Sequence, residues 1–187
     1  MLSPLFGPIR QTAYLVPDID EAVRDWGRQM QIGPFALCRE ITPLAGSRYR
    51  GEPTDEVIMN VAFAYIDDLQ LELIQQVNDT PSMYREAIDG RGYGQHHYGF
   101  CIEDFDDAYA RAVAVDFVAV VDAGVPGVAR MSYVESKTVP GLACELIQWN
   151  DFTRPYFDGI RSFLDEADDG KLVHELDLAA LVSGGAG

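Results

Sequence analysis

Apolar, β-rich runs at residues 9–16, 35–40, 57–66 and 69–75 predict four strands, and runs at 96–102, 116–121, 128–134 and 142–148 predict four more. A helix is expected over residues 18–30, where Asp18 is a natural N-cap with Glu21 three positions on and Ala22, Val23 and Trp26 form an apolar stripe. The run Ile32, Gly33, Pro34 ends it. A second helix is expected at 104–114, and a short one from Asn78 to about Asp89, followed by a hinge at Gly90, Gly92 and Gly94. The segments 151–166 and 171–182 read as helices, before a flexible end from Ser183 to Gly187.

The order strand, helix, three strands therefore occurs twice, and the residues repeat with it. Glu72, Leu73, Ile74 and Gln75 recur as Glu145, Leu146, Ile147 and Gln148, an offset of 73 positions. The run from Gln11 to Ala22 lines up with His97 to Ala108 at an offset of 86. The larger first half places its excess in the polar, Gly- and Pro-containing loop 41–56. Duplication is the simplest origin. The expected architecture is α+β: a first βαβββ module over 1–89, a second over 90–150 and a C-terminal helical tail over 151–187. Such small units leave one sheet face uncovered, so the two should pair, with helices outside and a cleft between curved mixed sheets.

Length and charge narrow the function. At 187 residues the chain can bury a sizeable core. A formal net charge of −16 repels a phosphate backbone and argues against nucleic acid as partner. No apolar stretch approaches the roughly 20 residues a membrane helix needs, and the first ten residues lack the basic start of a signal peptide. Cys38, Cys101 and Cys144 are odd in number and lie in strands, so they read as core thiols in a reducing cytoplasm.

Strand parity gives the repeated polar residues a common side. Leu69, Leu71 and Leu73 share one face, and Gln70, Glu72 and Ile74 the other; Cys144 and Leu146 likewise oppose Glu145. Tyr98, Phe100 and Ile102 suit packing beneath a helix, which turns His97, Gly99 and Cys101 toward the cleft, matched by Gln11, Ala13 and Leu15. Either Glu alone reads as a solvent-facing strand residue, His97 alone as a core histidine, and Gln11 alone as nothing in particular. Their coincidence at duplicated positions points to a shared solution for buried carboxylates, a divalent ion held by Gln11, Glu72, His97 and Glu145. No local motif such as paired cysteines adds to this long-range signal. His96 reads as structural on the opposite strand face, and His174 as a surface residue.

Through Gln11 to Asp20, Glu72 to Gln75, His97 to Asp106 and Glu145 to Gln148, the chain resembles the vicinal oxygen chelate superfamily of glyoxalase, bleomycin-resistance and dioxygenase type proteins over about residues 9–150. In that family paired βαβββ modules place one metal ligand on the first and last strand of each module. The ligand set Gln, Glu, His, Glu is similar to that of eukaryotic zinc-type glyoxalase I; extradiol dioxygenases bind iron through two His and one Glu, against which Gln11 counts. The resemblance implies one divalent ion, zinc first with nickel, cobalt or manganese as alternatives, and a lyase, isomerase or epimerase that transfers a proton beside the carbonyl of a small molecule or thioester. Glu145 matches the catalytic base and Glu72 could serve the opposite face. The alternative is a non-catalytic, bleomycin-resistance-like binding protein. Arg48, Tyr49 and Arg50 are candidates for an anionic substrate tail, a solvated loop being the other reading, and Arg130, Tyr133 and Lys137 lie near the expected cleft on faces the sequence does not fix. No motif assigns glutathione or coenzyme A. A homodimer is expected.

Overall fold

The computed structural model describes residues 4–44, 46–54, 56–125, 128–178 and 181. The first half comprises strand β1 (Gln11–Leu15), helix α1 (Ile19–Met30), strands β2 (Phe35–Ile41), β3 (Arg48–Tyr49), β4 (Glu52–Pro53), β5 (Met59–Ile66) and β6 (Leu69–Gln76), then helix α2 (Met83–Arg91). The second comprises β7 (Gly94–Ile102), α3 (Phe105–Ala114), β8 (Phe117–Val125), β9 (Ala129–Ser136) and β10 (Ala143–Gln148). Helix α4 (Thr153–Asp165) and strand β11 (Val173–Glu175) follow.

Among the described residues the eleven strands form one curved mixed sheet in the order β11-β2-β5-β6-β1-β7-β10-β9-β8-β3-β4. The two repeats meet where β1 and β7 run antiparallel, and each of these is flanked by the parallel last strand of its own repeat, β6 or β10. Helix α1 starts as the sequence indicates, with the Asp18 carboxylate accepting from the Glu21 N–H at 2.8 Å. Its buried Ile19 and Val23 pack on Leu71 and Leu73. In the second half Asp104 caps α3 through the Asp107 N–H, and Phe105, Ala108 and Ala112 pack on Phe100 and Leu146. The predicted helix-packed faces are thus covered, and the opposite faces turn inward.

Three departures from the sequence expectation shape the interior. The loop after β2 is not merely solvated: β3 pairs with β8 of the other repeat, Tyr49 opposite Val121, and Arg50 N–H donates to the Val120 carbonyl at 2.7 Å. The segment expected as a helix from 171 opens instead with β11, which adds in parallel to β2. His174 on that strand is largely covered, its ring edge-on to Phe163, rather than a surface residue. Helix α4 forms as expected and lies against β2 and β5, burying Ile160 and Leu164 in the inner cluster with Phe63 and Tyr84. The end from Ser183 to Gly187 lies outside the described residues. Among the described residues no helix is long and apolar enough to cross a membrane. Cys38, Cys101 and Cys144 are free thiols, with Cys38 and Cys144 buried.

Candidate metal centre

Gln11, Glu72, His97 and Glu145 stand on four consecutive strands at the middle of the sheet, β1, β6, β7 and β10. One chain therefore supplies the whole set. Register explains why there is room between them. Ala13 lies level with both Glu72 and His97, and Gly99 lies level with both Gln11 and Glu145. These two small residues occupy equivalent places in the repeat. A Cβ at Gly99 would fall 2.7 Å from Gln11 Oε1 and 2.8 Å from Gln11 Cβ, so only glycine leaves the Gln11 side chain where it is.

The side chains converge on His97. Its Nε2 is 3.5 Å from Glu72 Oε2 and 3.6 Å from Glu145 Oε2, and the ring is fully buried. Gln11 Oε1, Glu72 Oε2 and His97 Nε2 are buried without any hydrogen-bond partner. Leaving a buried polar atom unsatisfied costs about 1–3 kcal/mol, so three on neighbouring strands, two of them 3.5 Å apart, call for a common ligand. Donors about 2.0–2.2 Å from an ion lie about 3.0–3.6 Å from one another, close to the separations seen. Among the described residues no three His, Cys, Asp or Glu side chains are already drawn together as a metal-binding group. The fit is carried by the orphaned atoms and the space that Gly99 keeps open. Burial, and then the charge of Glu145, push the Glu72 carboxyl well above the usual carboxylate range, a repulsion that a cation would relieve.

Hydrogen bonds fix which atoms face the centre. Gln11 Nε2 donates to Gln70 Oε1 at 2.8 Å, Gln70 Nε2 donates to the Tyr65 hydroxyl at 2.8 Å, and Tyr65 donates to the Phe157 carbonyl at 3.2 Å. With its amide nitrogen engaged, Gln11 turns its oxygen inward. On the other side a bulge sets Tyr14 opposite Gln95 and Ala13 opposite His97, leaving His96 as the extra residue. His96 consequently does not stay on the opposite face, and its Nδ1 comes 2.9 Å from His97 Nδ1. Burial holds His96 well below the ordinary histidine pKa, which favours the neutral ring. An Nδ1–H on His97 donated to His96 Nδ1 would leave the His97 Nε2 lone pair free for the centre, the tautomer that metal-ligating histidines use.

Gln11, Glu72 and Glu145 lie at the floor of a cavity of about 1320 Å³, with the fully buried His97 ring beside the two carboxylates. Its walls are mainly apolar, from Phe63 and Ile74 on one repeat to Met131 and Ile147 on the other, closed by Tyr156 of α4 and Leu178 after β11. Tyr133 sits edge-on to His97 with ring centroids 5.0 Å apart, and burial and then the Glu145 charge push its hydroxyl well above the usual tyrosine range.

A sequence profile described as the glyoxalase/bleomycin resistance protein/dioxygenase superfamily matches residues 10–134. The chain belongs to that superfamily. Solved structures of the same fold include methylmalonyl-CoA epimerase from Mycobacterium tuberculosis, with 16% identity, a TM-score of 0.57 and coverage of 82% of this chain and 95% of that one. A second methylmalonyl-CoA epimerase has 22% identity, a TM-score of 0.50 and coverage of 80% and 100%. A hypothetical protein from Bacillus halodurans has 14% identity, a TM-score of 0.56 and coverage of 77% and 95%. No curated protein matches the sequence. Members of the superfamily commonly bind a divalent metal.

Of the substrate candidates read from the sequence, Tyr133 lines the cavity of this superfamily member and the cationic ones do not. Arg48 donates to the Gly51 carbonyl, Arg50 pairs with Glu86 and Glu135, and Arg130 pairs with Asp106 and lies over the Phe105 ring. Tyr49 hydrogen-bonds Glu86, and Lys137 is exposed beyond β9. The sequence reading missed Gly99 as a spacer, His96 as a contact of His97, and the wall formed by α4 and the segment after β11. Gly99 could have been singled out, since it matches Ala13 in the repeat.

Proposed function

We propose that this protein is a metal-dependent, glyoxalase-like lyase, isomerase or epimerase that transfers a proton next to a carbonyl of a small molecule or thioester. The observation that supports it is the set of three unpartnered buried donors on neighbouring strands, Gln11 Oε1, Glu72 Oε2 and His97 Nε2, beside the Glu145 carboxylate. Gln11, Glu72, His97 and Glu145 would hold one divalent ion, zinc first, with nickel, cobalt or manganese as alternatives. Such an ion supplies Lewis-acid polarisation of a carbonyl oxygen, which acidifies the neighbouring C–H.

The chain's own groups do the rest. A Glu145 carboxylate oxygen takes the proton and returns it to the same or an adjacent carbon, with the Tyr133 hydroxyl close by. Glu72 approaches His97 as Glu145 does, and offers a second acceptor of the kind that inversion at one carbon requires. The apolar walls exclude water, which protects a carbon acid in transit. That same cavity favours one second reading, a non-catalytic protein that sequesters an apolar ligand.

Metal content of the purified chain, with and without Glu72→Gln plus Glu145→Gln, tests the first step. Absence of a stoichiometric ion after supply of zinc, nickel, cobalt and manganese defeats the proposal. Deuterium exchange at the carbon beside the carbonyl, over a panel of ketones and thioesters, separates the two readings, because a sequestering protein exchanges none. The proposal extends to a homodimer, checked by light scattering, and to a reducing cytoplasmic setting that suits the three free thiols.

A further inference from the structure

The charges around the cavity are one-sided. Among the described residues lining it, the carboxylates are Glu40, Glu72, Glu145, Asp151, Glu175 and Asp177, and the sole cation is Arg39. Arg39 is already committed, to Asp20 at 2.7 Å and Glu175 at 3.1 Å. Glu40, Asp151, Glu175 and Asp177 are exposed lining residues and so form the rim, while Glu72 and Glu145 lie at the floor. The cations that could have met an anionic substrate, Arg48, Arg50 and Arg130, are turned to Gly51, Glu86, Glu135 and Asp106 away from the cavity. A ligand with a negatively charged carrier would meet the rim carboxylates on entry, and the one cation among the described lining residues is already paired.

The space itself is large and greasy. Its volume of about 1320 Å³ exceeds the roughly 300–1,000 Å³ of ordinary small-molecule pockets. Val61, Phe63, Ile74, Met131 and Ile147 on the sheet face Tyr156 and Leu178 across it. Substrate anions are usually met by arginine forks or backbone N–H groups. Here the polar groups at depth are carboxylates, neutral hydroxyls and the Gln11 and Gln70 amides, whose N–H groups are already engaged with Gln70 and Tyr65.

We infer that the substrate is an uncharged, largely apolar molecule of multi-ring or comparable bulk whose carbonyl, with an adjoining oxygen, reaches Gln11, Glu72, His97 and Glu145, and that thioesters on anionic carriers such as coenzyme A or glutathione are excluded. The placement of the oxygens rests on the proton-transfer reading above; the charge and size selection does not. Three probes test it: the neutral fluorescent ketone benzanthrone, a benzanthrone bearing one carboxylate, and a naphthoyl-coenzyme A thioester. Each is titrated into the full chain, metal-loaded and after chelation, by fluorescence and calorimetry. The neutral ketone is expected to bind at least tenfold more tightly than either anion at low salt, in both metal states. Added salt and the double substitution Glu40→Gln, Asp151→Asn should narrow that ratio. Equal or tighter binding of either anion overturns the inference, and so does failure of the neutral ketone to bind up to its solubility limit. A chain that takes up no metal yet keeps the tenfold preference would defeat the catalytic proposal and leave this one standing.

Discussion

The imidazoles of His96 and His97 meet Nδ1 to Nδ1 at 2.9 Å, so one nitrogen must donate and the other accept, and the tautomers of the two rings are tied together. Replacing His96 with Phe keeps an aromatic ring against Tyr84 and removes the partner nitrogen. Loss of such a supporting hydrogen bond costs a metal site about 10–100-fold in affinity. Calorimetric titration of zinc into His96→Phe should show that loss with the fold intact by circular dichroism; unchanged affinity would remove His96 from the site.

Gly99 offers a second, independent handle. An added methyl would strike Gln11 at 2.7–2.8 Å, and the side chain must move. Gly99→Ala is expected to weaken metal binding, and Gln11→Ala made on that background should add little, because the amide has already been displaced. A double-mutant cycle on metal affinity measures this directly, and full additivity of the two changes would show that they act separately.

The metal-free protein should have an inverted pH response at Glu72. Its native pKa is raised by burial and by Glu145, so the native state keeps a proton that the unfolded chain has lost. The stabilisation is complete below the ordinary carboxylate range and is lost as pH rises toward the shifted value. Thermal melts of chelated protein, compared with Glu72→Gln, should find the wild type losing ground steadily above that range, whereas a divalent ion restores stability more strongly at higher pH. Parallel curves for the two proteins would contradict the shift.

Helix α4 belongs to the structure of the cavity. Ile160 is fully buried between α4 and the inner sheet face. Ile160→Ala should cost about 2–5 kcal/mol in denaturant unfolding, with weaker ligand binding as the wall loosens. A cost below about 0.5 kcal/mol, the range of surface changes, would mean that α4 is only peripheral.

What the sequence discloses follows from which features are local. Glu72 and Glu145 could be assigned to the inner face because a strand has period two, and Asp18 could be recognised as a cap because its partner is three residues away. His96 escaped that parity because a bulge is a property of the pairing between β1 and β7, invisible in β7 alone. Arg50 read as an anion binder for a similar reason: its partners Glu86 and Glu135 are 36 and 85 residues distant and arrive only through the fold. The two-residue strands β3 and β4 and the three-residue β11 are too short to carry a periodicity at all.

Those short strands govern how the molecule can associate. The repeat alone would end in β2 on one side and β8 on the other, long edges open to a strand from another chain. Segments outside the repeat occupy part of both: β11 pairs with Phe35–Leu37 of β2, and β3 with Val121 and Asp122 of β8. The sheet now ends in strands of three and two residues, too brief to template growth. A strand from another chain would find only these short ends, and not a full-length edge, at the two limits of the sheet.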